Sequence, residues 1–312
     1  MSEMSNAAMT AERPVTVPMA LKSNGHALDM TPKRLGRLLL SDPSNSISSL
    51  RERFNADGYL FLKGFLPRSD VLEFRRYVFA AFADTGLIAK GSDPLDGLYS
   101  GTPEGDLVRR RLMEVVRSAA FEAFCLSPNL WRFMDQFLGG LSYLHKRKLL
   151  RHTRPGEARA TPAHYDLVYL RGGTDRIVTS WIPIGDTPTE MGGLCYLEGS
   201  HALGRRLESE FMAASTDLPP EDRIGAYNKH MKAYGWISDN LPEMAEQFDS
   251  RWLVADFEAG DIMLHSPFMI HAATSNDSQS NRIRLSTDIR YQNVRDEIDA
   301  RWGNHWSLDD ML

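Results

Sequence analysis

One stretch near the middle of the chain decides both the fold and the chemistry: Thr161-Pro162-Ala163-His164-Tyr165-Asp166-Leu167-Val168-Tyr169. It places an imidazole and a carboxylate two residues apart, at the start of a run that is expected to continue as a strand through 167–170. In a β-strand that spacing sends both side chains to the same face of the sheet. The stretch therefore predicts that His164 and Asp166 are two ligands of one metal ion.

A third ligand must come from elsewhere, because an H-x-D triplet alone is common in proteins. The tract 258–271 supplies the candidates His265 and His271. Two histidines, one carboxylate and open positions describe the facial triad of non-haem iron(II) oxygenases. Fe(II) in such a site binds a 2-oxo acid and O2, and the far carboxylate of the 2-oxo acid needs a cation. Arg282 offers a planar guanidinium for that carboxylate, and Arg284, which follows on the same predicted strand, is the alternative.

The rest of the chain predicts helices followed by strands around a single core. Its 312 residues, 42% hydrophobic and 25% charged, are typical of a globular protein. Helices are expected from Ser48 to Asp57-Gly58, from Ser69 as an N-cap to Gly86, and from Ser127-Pro128 to Gly139. Further strands are expected at 59–62, 141–150, 177–184, 193–197, 252–257, 262–265 and 283–291. This pattern indicates a mainly β fold with flanking helices, whose core is a double-stranded β-helix (a cupin-like jelly roll).

Two segments do not fit the pattern of this core. Residues 1–29 lack periodicity and are rich in Ser, Ala, Thr, Asn and Met, which predicts a disordered tail before a single domain at 30–312. Between 203 and 250 the strand pattern breaks, and helices are expected at 208–212, 224–236 and 242–248. A long insertion between barrel strands predicts a lid, with a surface elaboration as the alternative.

Composition excludes several classes of partner. A net charge of -5 argues against a nucleic-acid-binding protein, since such binding depends on clustered Lys and Arg. Neither an 18-residue apolar run nor a secretory signal pattern occurs, so a cytoplasmic location and no membrane partner are expected. Cys125 and Cys195 are too few for a disulfide framework and are interpreted as buried packing residues. In the C-terminal tail, Trp302 and Trp306 indicate either a homodimer contact or a segment docked on the barrel.

Further motifs make the chain resemble the phytanoyl-CoA dioxygenase family of iron and 2-oxoglutarate oxygenases. Residues 54–66 resemble the opening strand of the family, and residues 181–201 resemble its central hairpin and the Gly-Ser-His turn that closes it. The succession of Gly260-Asp261, His265 and, six residues later, His271 is also similar. The resemblance covers nearly the whole chain after the tail.

The resemblance implies roles for individual residues. It implies that His164, Asp166 and His271 hold Fe(II) and that His265 is not a ligand. It also implies that Arg282 anchors 2-oxoglutarate and that Trp181 lines the co-substrate pocket. Related halogenases replace the carboxylate with Ala or Gly to admit chloride, so the presence of Asp166 favours oxygen insertion.

The activity implied is oxidation of a small-molecule metabolite, typical of a secondary pathway. Hydroxylation of an unactivated C–H bond is expected, with O2 consumed and 2-oxoglutarate converted to succinate and CO2. Desaturation, epoxidation and cyclisation remain open. Two other classes fit the same residues: a metal-containing jelly roll that only binds a ligand, and a cupin-type metalloenzyme that works without 2-oxoglutarate.

Several side chains near the motif are candidates for contact with the substrate. A basic run from His145 to Arg154 is interpreted mainly as a solvated edge strand, with one member expected to reach the pocket. Aromatic and histidine side chains that flank the H-x-D motif and those of the insertion are weaker candidates. These are Tyr165, Tyr169, Tyr227, His230, Tyr234 and Trp236.

Overall fold

The computed structural model describes residues 20–219, 223–224 and 235–307. The helices of this part of the chain are α1 (Ile47–Asp57), α2 (Arg68–Ala81), α3 (Gly105–Val116), α4 (Ala119–Cys125), α5 (Pro128–Leu138), α6 (Leu167–Leu170), α7 (Ser200–Ala214) and α8 (Leu241–Gln247). The strands are β1 (Lys22–Ser23), β2 (His26–Ala27), β3 (Leu35–Arg37), β4 (Leu40–Ser41), β5 (Tyr59–Leu62), β6 (Ser142–Leu144), β7 (Leu149–Thr153), β8 (Ile177–Pro183), β9 (Leu194–Leu197), β10 (Trp252–Val254), β11 (Ile262–His265), β12 (His271–Ala273) and β13 (Arg284–Asn293).

Two sheets form the core. The smaller has the strand order β12-β9-β10-β3, and the larger has the order β4-β5-β11-β8-β13-β6, with β7 also paired to β13. Except for the parallel pairs β10-β3 and β4-β5, the strand pairs within these sheets are antiparallel. The predicted jelly-roll core with N-terminal helices is confirmed.

Alternation along the strands decides which side chains lie between the sheets. In β5, Tyr59 and Phe61 point into the layer between the two sheets, whereas Leu60 and Leu62 point toward the N-terminal helices. Full burial of one such side chain stabilises the fold by roughly 1.5–3 kcal/mol. Other members of the inner layer come from both sheets: Trp181, Leu194, Tyr196, Leu253 and Met263.

The helices α1 to α5 cover the outer face of the larger sheet, as expected from their apolar stripes. Helix α1 begins after Ser46, whose side chain accepts a hydrogen bond from the backbone N–H of Ser49, and ends at Gly58, which has φ +79°. That left-handed conformation favours glycine. The expectation that Ser69 caps α2 is wrong, because Pro67 is the cap and Ser69 lies in the first turn.

Two predicted strands have a different structure. Residues 167–170 form the short helix α6 instead of a strand, because Asp166 has a helical conformation (φ -66°, ψ -31°) and turns the chain. The predicted strand 141–150 is two strands, β6 and β7, separated at 145–148. Helices α3 and α4 and the short strands β1 to β4 and β12 were not expected from the sequence.

Where the structure describes them, the residues that were predicted to form a tail and a lid pack against the core. Residues 20–29 are not disordered, since β1 and β2 form a hairpin whose Ser23 donates a hydrogen bond to the carbonyl of Ala273. In the insertion, α7 begins at Ser200 and packs with α8 on the outer face of the smaller sheet. The rest of the tail, most of the predicted helix 224–236, and Tyr227, His230 and Tyr234 lie outside the described residues.

The predicted burial of both cysteines is confirmed, and both thiols are free. Within the described ranges, no helix has the length and apolar character that crossing a membrane requires.

Candidate metal centre and co-substrate pocket

The two histidines of the predicted triad are direct backbone partners. The N–H of His164 donates to the carbonyl of His271 (3.0 Å), and the N–H of His271 donates to the carbonyl of His164 (2.9 Å). Such an antiparallel pair directs its two side chains to the same side. The centroids of the two imidazole rings lie 4.3 Å apart.

Backbone carbonyls fix the tautomer of both rings. Nδ1 of His164 is 2.8 Å from the carbonyl oxygen of Pro162, and Nδ1 of His271 is 2.9 Å from that of Met269. A carbonyl can only accept, so each Nδ1 carries the proton and each Nε2 keeps its lone pair. Both Nε2 atoms lie 3.9 Å from Oδ1 of Asp166, with which the three residues form a buried cluster.

Three buried side chains orient the carboxylate of Asp166. Thr179 donates to Oδ2 at 2.5 Å, and Nε2 of His265 lies 3.4 Å from the same oxygen. Arg290 donates to Oδ1 at 2.9 Å. Tyr196 holds the far side of His265 through a contact of 2.8 Å between its hydroxyl and Nδ1. His265 therefore contacts Oδ2 of Asp166, whereas His164 and His271 lie near Oδ1.

Burial and charge favour the forms that bind a metal. Burial alone raises the pKa of Asp166, but Arg290 and the neighbouring histidines hold the pKa well below its usual value. Burial lowers the pKa of His164, and it lowers the pKa of His271 well below the ordinary value. The carboxylate is thus ionised and both imidazoles are neutral at pH 7, as metal ligation requires.

The position of Arg282 contradicts its predicted role. Its side chain is 51% exposed and lies 3.6 Å from Asp96 on the outer surface. Strand β13 begins only at Arg284, so the alternation of side chains does not extend back to Arg282. The assumption that Arg282 and Arg284 share one face of a strand is wrong for this reason.

Arg284 occupies the interior position instead. It is 4% exposed, and it donates to the hydroxyls of Ser286 (2.8 Å) and Thr153 (2.6 Å). Its guanidinium borders a small cavity together with Trp181 and His271. Burial, followed by the charge of Arg151, lowers the pKa of Arg284 to about 10. The buried cation therefore lacks a full counter-charge, which a bound carboxylate would provide.

A larger cavity, of about 370 Å³, opens beside His164 and Asp166. Two members of the predicted basic run, Arg147 and Arg151, reach it, where one had been expected. Its wall also includes side chains from distant parts of the chain: Tyr169, Trp236, Arg290 and Trp302. The C-terminal segment is thus docked on the barrel, with Trp302 only 2% exposed.

Sequence reasoning missed Arg290 and left the role of Trp302 open. The strand alternation shared by Arg284, Ser286, Asp288 and Arg290 was a signal that could have identified Arg290. No local pattern indicates Trp302, since it reaches the cavity through the long-range contact of its indole N–H with the carbonyl of Tyr169.

The donor set fits iron(II). The ligand atoms of His164, Asp166 and His271 lie within 4.8 Å of one another. Two neutral histidines and one carboxylate on the inner wall of a jelly roll are the donor set of the non-haem iron(II) oxygenases. The fold and the site together define this class of protein.

Comparison with known proteins identifies the family. The sequence model of the phytanoyl-CoA dioxygenase family matches residues 54–284, and the chain belongs to this family. It is therefore a non-haem iron enzyme that uses 2-oxoglutarate and O2. The chain is 26% identical over 254 residues to the 1-deoxypentalenic acid 11-beta-hydroxylase of Streptomyces exfoliatus, covering 77% of this chain and 78% of that protein. The enzyme of the same name from Streptomyces arenae is 24% identical over 245 residues, with the same coverage.

Solved structures share the fold. The epimerase SnoN, in complex with Fe3+, alpha ketoglutarate and nogalamycin RO, superposes with a TM-score of 0.53 at 19% identity, covering 82% of this chain and 87% of that chain. The apoform of EctD from S. alaskensis gives a TM-score of 0.54 at 14% identity, with 92% of both chains covered. At these identities the likeness is one of fold.

Proposed function

We propose that the protein hydroxylates an unactivated C–H bond of a small-molecule metabolite. The observation that carries the proposal is the buried cluster of His164, Asp166 and His271 at the end of a cavity large enough for an organic molecule. The relatives from Streptomyces are named as hydroxylases, which favours hydroxylation over desaturation, epoxidation or cyclisation. The presence of Asp166 is in keeping with oxygen insertion.

In this proposal His164, Asp166 and His271 hold Fe(II), and Arg284 anchors the far carboxylate of 2-oxoglutarate. Arg284 takes the role that was predicted for Arg282. Trp181 lies beside Arg284 and His271 and excludes water from the co-substrate with its indole ring. The hydroxyls of Thr153 and Ser286 keep the guanidinium of Arg284 in place through the hydrogen bonds that they accept.

Fe(II) held by His164, Asp166 and His271 would supply, together with 2-oxoglutarate and O2, the oxidising chemistry for hydroxylation of a substrate C–H bond. The protein contributes position and environment. Thr179, His265 and Arg290 fix the orientation of the Asp166 carboxylate, so that its free lone pairs point to the metal site. The aromatic wall of the cavity keeps the substrate in place and excludes water from the reacting centre.

We retain the insertion as a lid within this proposal. Trp236 lies in the cavity wall, whereas the described helices α7 and α8 pack behind the smaller sheet. Any closure over the cavity therefore falls to the part of the insertion near Trp236.

The test is an assay of succinate release with a broad panel of metabolites, followed by identification of a product one oxygen atom heavier. Asp166→Ala is expected to abolish substrate-dependent succinate release. The exposed His26 gives the control His26→Gln, which is expected to behave like wild type. Full activity of Asp166→Ala, or a product formed without 2-oxoglutarate, would contradict the proposal and favour the cupin-type alternative.

A further inference from the structure

The charge of the active-site walls is unbalanced. Among the described residues that line the two cavities beside the triad, four arginines (Arg147, Arg151, Arg284 and Arg290) face two carboxylates, Asp166 and Asp288. Fe(II) and the 2-oxoglutarate dianion carry opposite charges of equal size, so their binding leaves this excess of arginines over carboxylates unchanged. A buried surplus charge is costly unless a counter-ion neutralises it.

Arg290 is the cation best placed to meet such a counter-ion. It is 3% exposed and lines both cavities. Its Nη2 donates to Asp166, but its Nε and Nη1 are buried and have no hydrogen-bond partner among the described residues. Buried guanidinium nitrogens without an acceptor are rare, because each loses its hydration without compensation.

The remaining wall of the larger cavity is aromatic. The guanidinium carbon of Arg290 lies 5.0 Å from the centroid of Trp302, and that of Arg147 lies 5.2 Å from the same centroid. Trp302 thus holds two cations toward one cavity by cation–π contact. Tyr169 and Trp236 add apolar surface on this wall. Among the described residues, the only acidic side chain lining this cavity is Asp166.

We propose that the organic substrate is a free carboxylic acid with an apolar body, bound with its single negative charge at Arg290 and its body against Trp302 and Trp236. This inference rests on the proposed function and extends it to the substrate class. A carboxylate supplies the acceptors that Arg290 lacks and reduces the excess of positive charge. An ester, thioester or amide of the same acid lacks the negative charge at this end of the molecule, so the free acid and not an activated acyl derivative is the substrate.

The experiment compares each acid with its primary amide on the enzyme loaded anaerobically with Fe(II) and saturating 2-oxoglutarate. The probes are 1-adamantanecarboxylate, cyclohexanecarboxylate and decanoate, each measured by calorimetry beside the matching carboxamide. Saturation with 2-oxoglutarate keeps the probes out of the co-substrate site. In at least one pair the acid is expected to bind about tenfold or more tightly than the amide.

Three variants test which arginine binds the carboxylate of the probe acids. Arg290→Gln is expected to remove the preference for the acid, read as the ratio of the two affinities in one sample, because Arg290 also orients Asp166 and its loss also affects the iron site. Arg147→Gln, which does not contact the triad, is expected to reduce the preference by about threefold to tenfold. Arg206 lies on α7 with a side chain 64% exposed, so Arg206→Gln makes the same change in net charge away from the cavity and is expected to keep the full preference.

The comparison of acid and amide on the wild-type protein tests the proposed substrate class even if Arg290→Gln does not fold. Equal binding of acid and amide in all three pairs, or binding of neither member of any pair, would overturn the assignment of substrate class. The proposed function is checked separately in the same samples by the visible band of the iron–2-oxoglutarate complex. A normal band without acid preference rejects only the substrate class, whereas the absence of the band rejects the function itself.

Discussion

Two walls of the active-site cavity are built in different ways. One wall is strand β13, which pairs with β8 along seven residues and also with β6 and β7, and carries Arg284, Ser286, Asp288 and Arg290 on one face. The other wall consists of Trp236 from the insertion and Trp302 from a short 3-10 turn at Ala300–Gly303. His271, Arg284 and Arg290 thus lie on regular strands, whereas the aromatic side chains assigned to the apolar body of the substrate lie on irregular segments. A family can therefore change substrate without disturbing the chemistry.

The largest expected effect distinguishes the two arginines at the start of β13. Arg284→Met should raise the KM for 2-oxoglutarate by about 100-fold, since a buried hydrogen-bonded charge pair contributes about 3 kcal/mol. Arg282→Met is the matched control and should change this KM by less than about twofold, because an exposed ion pair contributes little. Steady-state kinetics with varied 2-oxoglutarate measures both. The opposite ranking would restore Arg282 as the anchor.

The second prediction concerns the rigid wall behind the triad. His265→Leu leaves Asp166 without one of its orienting contacts and should weaken Fe(II) binding by about 10-fold to 100-fold, as found for groups that orient metal ligands. Tyr196→Phe removes only the outer hydroxyl and should have a smaller effect. Anaerobic calorimetry on the metal-free protein measures both affinities. If His265→Leu bound iron as tightly as wild type, His265 would have no positioning role.

The difference between the two walls also predicts that one substitution changes the stability of the fold more than the binding of Fe(II) and 2-oxoglutarate. Trp302→Leu should lower the free energy of unfolding by about 2 kcal/mol, because the substitution leaves a cavity in a buried cluster. The affinity for Fe(II) should fall less than in His265→Leu, because Trp302 contacts Arg290 rather than Asp166 itself, and the affinity for 2-oxoglutarate should stay within about twofold. Urea unfolding and calorimetry test the two parts. A large loss of iron affinity would mean that the C-terminal segment supports the metal site directly.

The sequence predicted the regular wall better than the irregular one. The buried cluster of the triad was expected from an H-x-D triplet and a distant histidine. The local geometry was not, since Asp166 begins a helix and His164 pairs with His271 outside the predicted ladder. Arg282 was chosen over Arg284 because the start of β13 depends on pairing with β7, which no local pattern specifies. The position of Trp302 in the cavity wall could not be predicted either, because it depends on a long-range contact.

The last prediction is the dependence of stability on pH. Burial lowers the pKa of both His145 and His152 to about 4. Between about pH 6.5 and pH 5 the unfolded chain binds protons at these histidines and the folded chain does not, so acid destabilises the fold. Each histidine should contribute up to about 1.4 kcal/mol per pH unit to the slope. Urea unfolding across this window should show the slope, and His145→Gln should reduce it. An equal slope in the variant would contradict the assigned cause.

The central claim is that one iron site formed by His164, Asp166 and His271 binds 2-oxoglutarate against Arg284. The most direct test is an anaerobic titration of the Fe(II)-loaded protein with 2-oxoglutarate, followed by the weak visible charge-transfer band of the chelate. The band should appear in wild type and in Arg282→Met, require far more 2-oxoglutarate in Arg284→Met, and be absent in His271→Ala. A folded wild-type protein that binds iron but gives no band, or a normal band in His271→Ala, would contradict the account.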